Sequence, residues 1–165
     1  MRPEIYKIQQ IGAGFLAVMA KPVSGEWIAE EFRGIATLGV RRLVSLMEIE
    51  EMREVGLARE PDLCRENSMG YIHFPIRDRG LPASLEKTVL LVKDLHAQIK
   101  SGKNTAIHCR AGIGRSGLIA ACVLVREGYA PEDAFRSVSK ARKAEVPDTL
   151  EQREWLLRHR ALFSS

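Results

Sequence analysis

The chain has 165 residues, of which 45% are hydrophobic and 28% are charged, and its formal net charge is +4. This length and composition predict one soluble domain over residues 1–165. They exclude a membrane span, because no apolar stretch is long enough. They also argue against nucleic acid as a partner, because no basic stripe is interleaved with aromatic residues. The net positive charge suits anionic substrates, although a generically basic surface explains this charge as well.

The three cysteines, Cys64, Cys109 and Cys122, are few, odd in number and without paired spacing. Such a set argues against a disulfide framework and predicts a reducing compartment, the cytoplasm. The histidines show no ligand spacing among themselves, so no metal site is predicted.

The N-terminal apolar segment, residues 11–20, is predicted to contain a strand at 15–20. A short signal peptide ending at Ala20 is the alternative. It is disfavoured because Glu4 lies in what would be the positive region and because Gly12 and Gly14 interrupt the apolar run.

The remaining elements follow from hydrophobic periodicity and from breaker residues. Before residue 80 these signals predict a helix at 26–38 with Ser24 as its N-cap and Gly39 at its end, a strand at 42–46, one or two short helices within 48–67, and a strand at 71–74. After residue 80 they predict a helix capped by Ser84, a strand at 105–108, a nearly all-apolar helix at 115–127, a helix starting at Pro131, and a last helix with Asp148 and Glu151 as its capping box. This alternation predicts an α/β fold, a three-layer sandwich with a central, mainly parallel sheet of four to five strands flanked by helices.

The segment between the strand at 105–108 and the apolar helix carries the clearest chemical signal. It places Cys109 and Arg115 at the two ends of a short loop that also contains Gly112 and Gly114. A strand, a tight loop and a helix N-terminus together form an anion cradle of backbone N–H groups, in which a cysteine ionises easily. The planar arginine fork binds two phosphate oxygens, which lysine cannot do. The combination predicts phosphoryl transfer through a phosphocysteine, a mechanism that needs no metal and no other cofactor.

The same loop supports a family resemblance. His108 and Cys109, followed by five residues and then Arg115 and Ser116, resemble the signature loop of the cysteine-dependent protein tyrosine phosphatases. Residues 74–82, Phe-Pro-Ile-Arg-Asp-Arg-Gly-Leu-Pro, resemble the general-acid loop of their small dual-specificity branch, which includes the kinase-associated phosphatases. The resemblance implies an enzyme whose partner is a phosphorylated protein or peptide, with phosphotyrosine as the main substrate and phosphoserine or phosphothreonine as further ones. A monomer is expected.

The site residues fall into three groups under this resemblance. The catalytic group is Cys109 as nucleophile, Arg115 as the transition-state ligand, Asp78 as general acid and then base, and Ser116 as the hydroxyl that hydrogen-bonds the sulfur. The phosphate-binding group is Arg110, Ala111, Gly112, Ile113, Gly114 and Arg115. The supporting group is His108, which orients the loop, and Gln152, which helps to place the hydrolytic water.

Several of these residues have a purely structural alternative. Asp78 is in an Asp-x-Gly sequence, which favours turns. Ser116 is a helix-start residue whose hydroxyl can bond backbone alone. Gln152, without the resemblance, is a surface residue of the last helix. Arg77 and Arg79 either receive an acidic or phosphorylated substrate or are solvated charges.

Other functions remain open for the same loop. Phosphoinositide and inositol-phosphate phosphatases often carry lysines inside it, whereas here Arg110 is basic and Ile113 is apolar. An RNA 5′-triphosphatase is a more distant alternative. A low-molecular-weight phosphatase or arsenate reductase has the same spacing, but its loop lies near the N-terminus. A catalytically silent phosphoprotein-binding module is the alternative of another class, and it is disfavoured because Cys109, Arg115 and Asp78 are all present.

Overall fold

A single five-stranded sheet organises the computed structural model, which describes residues 2–165. The strands are β1 (Tyr6–Ile11), β2 (Gly14–Met19), β3 (Arg42–Ser45), β4 (Gly70–His73) and β5 (Thr105–His108). Their order across the sheet is β1-β2-β5-β3-β4, and every neighbouring pair is parallel except the β1–β2 hairpin. The predicted mainly parallel α/β sheet is therefore confirmed.

Seven helices of the described chain cover the two faces of this sheet. They are α1 (Ile28–Thr37), α2 (Ile49–Glu54), α3 (Glu60–Glu66), α4 (Leu85–Lys100), α5 (Gly114–Glu127), α6 (Pro131–Arg142) and α7 (Leu150–Ser164). Because successive strand side chains point to opposite faces, Leu16 and Val18 of β2 join the apolar cluster under α4 to α7, while Ala17 and Met19 join the one under α1 to α3. The result is the expected three-layer sandwich.

The N-terminal part differs from the expectation in two places. Strand β1 was not predicted, because its six residues contain Lys7, Gln9 and Gln10 and a bulge interrupts their alternation. Ser24 is not the N-cap of α1. A turn intervenes, in which the N–H of Ile28 donates to Gly25 O, and the helix begins after Trp27 without a side-chain cap.

The capping box of the last helix also differs from the expectation. Thr149, not Asp148, is the N-cap, and its hydroxyl accepts a hydrogen bond from the N–H of Gln152. Gln152 Oε1 in turn accepts a hydrogen bond from the Thr149 N–H, so Gln152 replaces Glu151 in the box. The carboxylate of Asp148 turns instead to Arg79.

Helix α5 is the central helix, as its apolar sequence predicted, with residues 115–125 all buried. It begins directly after the loop that follows β5, and β5 lies in the middle of the sheet between β2 and β3. The Cys109 loop therefore lies at the carboxyl end of a central parallel strand, where open α/β sheets bind ligands. Within residues 2–165, no helix has the length and apolar character needed to cross a membrane.

Candidate active site

The loop after β5 wraps its backbone around the Cys109 sulfur. The N–H of Gly112 donates a hydrogen bond to Cys109 Sγ over 3.3 Å, and the cysteine is 2% exposed. Gly112 has φ +74°, and a Cβ there would lie 2.5 Å from Met19 O. Only glycine fits this close approach without strain.

A cleft of about 220 Å³ opens above this loop. Its lining residues are Asp78, Arg79, Cys109, Arg110, Ala111, Ile113, Gly114, Arg115 and Asp148. The structure thus brings together the three residues that sequence analysis selected as nucleophile, transition-state ligand and acid. It also adds Asp148, which sequence analysis used only as a helix cap.

Arg115 is oriented by a bidentate contact with Glu51. Its Nη1 donates to Glu51 Oε2 at 2.7 Å and to Ile76 O at 2.9 Å, and its Nη2 donates to Glu51 Oε1 at 3.0 Å. A guanidinium has five N–H donors, so these bonds use both donors of Nη1 and one of Nη2. The remaining Nη2 donor and Nε form one edge of the fork, which suits a two-oxygen contact with phosphate. Asp78 Oδ1 lies 3.2 Å from that same Nη2.

Glu51 was not identified from the sequence. It is one of several glutamates on α2, and the only local signal is a capping box, in which the N–H of Glu48 donates to Glu51 Oε2 at 2.9 Å. Burial by itself would raise the pKa of Glu51. The hydrogen bonds from Arg115 and Glu48 and the charges of Arg115 and Arg110 outweigh burial, so the pKa lies below its usual value. The carboxylate is therefore ionised and holds Arg115 in position.

Replacing Glu51 by glutamine should destabilise the protein by about 3 kcal/mol at pH 7, because Arg115 stays buried and loses its anionic partner. A carboxylate with a lowered folded pKa stabilises above its unfolded value, about 4.3, and loses this effect as pH falls through the folded pKa. The difference from the parent should thus be full at pH 7 and shrink below about pH 4. Denaturant unfolding at pH 7 and at pH 3 measures this difference in stability, with the exposed neighbour variant Glu50→Gln as control. An equal loss at pH 7 and pH 3 would contradict the electrostatic explanation.

The loop that carries Asp78 follows β4 and is tied to the start of α7. Arg79 Nη1 donates to Asp148 Oδ2 at 2.8 Å, and Gln152 Nε2 donates to Gly80 O at 3.0 Å. Asp78 does lie in a turn, closed by the Gly80 N–H on Arg77 O at 2.7 Å, and its side chain is 60% exposed. Asp78 therefore lies in a turn and still places its carboxylate beside Arg115.

Gln152 is not a surface residue, because its side chain is fully buried. Its Oε1 accepts hydrogen bonds from the backbone N–H groups of Asp148 and Thr149, while its amide group holds Gly80. In this arrangement Gln152 joins the acid loop to the last helix. Its predicted role in placing water remains a prediction.

Two further predicted residues lie beneath the loop. The Ser116 hydroxyl is buried and makes no hydrogen bond to any described residue, so neither the bond to sulfur nor a backbone bond is formed here. His108 is buried with Nδ1 3.2 Å from Cys109 O and Nε2 2.6 Å from Glu60 Oε2. Sequence analysis missed Glu60, which is fully buried and also accepts a hydrogen bond from the Tyr71 hydroxyl. Burial and the Glu60 charge raise the pKa of Tyr71, so its hydroxyl keeps its proton.

The other two cysteines lie within the core. All three cysteines are free thiols. Burial raises the pKa of Cys64 to about 12 and also raises the pKa of Cys122. Cys109 is the cysteine that lines the cleft.

Comparison with known proteins identifies the family of this chain. Residues 17–129 match the family model described as "Tc-R-P: Polymorphic toxin system, DSP-PTPase phosphatase", and this stretch includes the acid loop, the Cys109 loop and α5. The chain belongs to the DSP-PTPase phosphatase family. The family resemblance expected from the Cys109 and Asp78 loops is thereby confirmed.

Relatives of this phosphatase family match over part of their length. The human cyclin-dependent kinase inhibitor 3 is 33% identical over 97 residues, which are 58% of this chain and 45% of that protein. The mouse protein tyrosine phosphatase domain-containing protein 1 is 31% identical over 121 residues, 67% of this chain and 16% of that protein. The chain thus matches less than half the length of either relative. A crystal structure of kinase associated phosphatase, in which serine replaces the catalytic cysteine, superposes on this chain with a TM-score of 0.89. The match covers 100% of this chain and 98% of that one at 22% sequence identity. This likeness supports the fold.

Proposed function

We propose that the protein is a single-domain, cysteine-dependent phosphatase that hydrolyses phosphate monoesters in proteins, chiefly phosphotyrosine and also phosphoserine and phosphothreonine. The observation that supports this most strongly is the single cleft that joins the Cys109 sulfur, the open edge of the Arg115 fork and the Asp78 carboxylate. A phosphoryl group on Cys109 would meet inward N–H donors and a guanidinium at once, which is the arrangement that stabilises developing charge in phosphoryl transfer.

The reaction has two steps. In the first, Cys109 Sγ attacks phosphorus, the bond from phosphorus to the leaving oxygen breaks, and protonated Asp78 gives its proton to that oxygen. In the second, the Asp78 carboxylate takes a proton from water, whose oxygen attacks phosphorus. The P–S bond then breaks, which releases inorganic phosphate and restores the thiolate. Arg115 and the loop amides hold the phosphoryl oxygens in both steps.

The surroundings of Ser116 and Asp78 each suit a part of this cycle. The buried Ser116 hydroxyl has no partner within residues 2–165, and a buried donor without a partner costs free energy. A hydrogen bond to the sulfur as its charge returns would satisfy this donor. Asp78 Oδ1 lies 3.2 Å from Arg115 Nη2. A phosphate bound to the Nη2 and Nε edge of Arg115 would therefore lie next to the acid.

The residues around the cleft favour a protein substrate over a phosphoinositide. Two rim arginines are neutralised by carboxylates, since Arg79 pairs with Asp148 and Arg110 pairs with Glu54. An inositol headgroup with several phosphates needs unpaired cations at this rim. We further propose a monomer that acts on phosphorylated proteins in the reducing cytoplasm, where the Cys109 thiol survives.

The test is phosphate release in EDTA from a phosphotyrosine peptide, a phosphothreonine peptide and a phosphoinositide. The Cys109→Ser protein is the blank. Release led by the peptides supports a protein phosphatase and ranks its residue preference. Release led by the lipid replaces the proposal with a phosphoinositide phosphatase, and no Cys109-dependent release from any of the three rejects it.

Replacing Asp78 by asparagine should lower kcat by a factor on the order of 10² to 10³, because the leaving oxygen must depart unprotonated. The loss should be greater for poor leaving groups, so a phosphopeptide suffers more than an activated aryl phosphate. Steady-state rates with both substrates measure the difference, with the exposed variant Asp133→Asn as control. If Asp148→Asn shows this leaving-group dependence and Asp78→Asn does not, the acid is Asp148.

A further inference from the structure

The carbonyl groups of the Cys109 loop are held by groups that do not line the cleft. Three consecutive ones, those of residues 110–112, accept hydrogen bonds from the Lys21 backbone N–H, Arg142 Nη2 and Arg142 Nε, at 3.1, 3.0 and 3.3 Å. The Cys109 carbonyl oxygen lies 3.2 Å from His108 Nδ1. Arg142, the last residue of α6, thus supplies two of the three donors from 30 and 31 residues further along the chain.

A carbonyl that faces outward sends the next N–H inward. The trans peptide unit is planar, and its C=O and N–H point in opposite directions. The Ala111–Gly112 peptide illustrates this directly: its C=O accepts a hydrogen bond from Arg142 Nη2, and its N–H donates to Cys109 Sγ. One peptide therefore separates the Arg142 guanidinium from the nucleophilic sulfur.

We propose that Arg142 is a positioning residue for the proposed phosphatase reaction. By holding the carbonyls of Ala111 and Gly112 outside the cleft, its guanidinium keeps the N–H groups of Gly112 and Ile113 directed at the Cys109 sulfur and at the bound phosphoryl group. This inference rests on the proposed function, and it adds a residue that does not line the cleft.

The loop needs this support because Gly112 is at its centre. Glycine populates both signs of φ, so the peptides beside Gly112 can rotate and turn a carbonyl toward the sulfur. A carbonyl oxygen in that place would repel a thiolate and a phosphate. The Arg142 bonds are charge-assisted, and a cation on the carbonyl oxygen strengthens the N–H of the same peptide as a donor.

The Arg142 side chain is itself held in place. Its guanidinium carbon lies 4.3 Å from the ring centre of Tyr6 on β1, a cation–π distance. The fork shape matters because Nη2 and Nε bind two successive carbonyls, and the single ammonium of lysine cannot reproduce this geometry.

The experiment compares Arg142→Met, Arg142→Lys and the control Arg136→Met. Methionine keeps apolar contact with the Tyr6 ring but removes the donors. Arg136 lies on the same helix, is exposed and pairs with Asp133. For each protein we would measure the dissociation constant of inorganic phosphate by its protection of Cys109 against iodoacetamide, the alkylation rate without phosphate, and the melting temperature.

Arg142→Met should weaken phosphate binding about tenfold, the loss of one hydrogen bond from a loop N–H that no longer points at the phosphoryl group, and should slow alkylation. Arg142→Lys should fall between parent and Arg142→Met, and Arg136→Met should match the parent. A lower melting temperature with unchanged phosphate protection and alkylation would overturn the proposal, because Arg142 would then be only structural. If the parent binds phosphate but releases none from any substrate, the proposed function fails, while the effect of Arg142 on phosphate binding is still measured.

Discussion

Replacing Cys109 by serine should reduce phosphate release by a factor on the order of 10⁴ or more. A serine hydroxyl remains protonated at neutral pH and is a weak nucleophile, and its oxygen would meet an N–H donor and a guanidinium rather than a base. Binding of inorganic phosphate should survive, because the loop amides and Arg115 are unchanged. The loss should therefore appear in kcat.

The matched control is Cys122→Ala, which changes a fully buried thiol of α5 that does not line the cleft. Turnover of a phosphotyrosine peptide and phosphate affinity by calorimetry would be measured for the parent and both variants. Turnover by Cys109→Ser equal to that of the parent would refute the phosphocysteine mechanism. An equal loss in both variants would indicate that disturbance of α5, not loss of the nucleophile, explains the result.

Replacing Arg115 by lysine should lower kcat/KM by about 10³-fold. Lysine keeps the charge but presents it as a point, so it cannot bind Glu51 with two nitrogens and phosphate with a second edge at the same time. The edge formed by Nη2 and Nε, which remains open when Glu51 and Ile76 are bound, would be lost. The transition state should lose more than the ground state, because its equatorial oxygens gain charge.

The matched control for this change is Arg126→Lys, in the last turn of the same helix. Rates with the phosphotyrosine peptide and phosphate protection of Cys109 against alkylation would be measured for both variants. A fall in kcat that exceeds the loss of phosphate affinity would support transition-state stabilisation by the fork. Unchanged kcat/KM in Arg115→Lys would show that the loop amides suffice and that Arg115 is structural.

Sequence analysis located the Cys109 loop because all of its signals are local. The apolar strand, the two glycines, the arginine and the apolar helix follow one another within about twenty residues, and each restricts the backbone by itself. The same holds for the cap of α4, where Ser84 accepts the N–H of Lys87 as expected. The acid loop was found through its resemblance to a family pattern and its position after a strand.

The residues that hold the site together could not be found in this way. Six glutamates lie between residues 48 and 67, and nothing local marks Glu51 and Glu60 as the partners of buried side chains. Their partners Arg115 and His108 are 64 and 48 residues away. The last helix was misjudged for a related reason, since Asp148 and Thr149 are both good N-caps. The contact of Asp148 with Arg79 on the acid loop leaves Thr149 as the cap.

The predicted nucleophile, the predicted anion cradle and the alternating α/β order follow from the sequence, because each depends on the conformation of contiguous residues. Only the folded chain shows which carboxylates face Arg115 and His108, and that the fork of Arg142 binds two carbonyls of the Cys109 loop. These choices depend on how the fold places α2, α3 and α6 next to α5, the end of β5 and the loop between them. A side chain gains a partner there only after the chain has brought distant segments within hydrogen-bond distance.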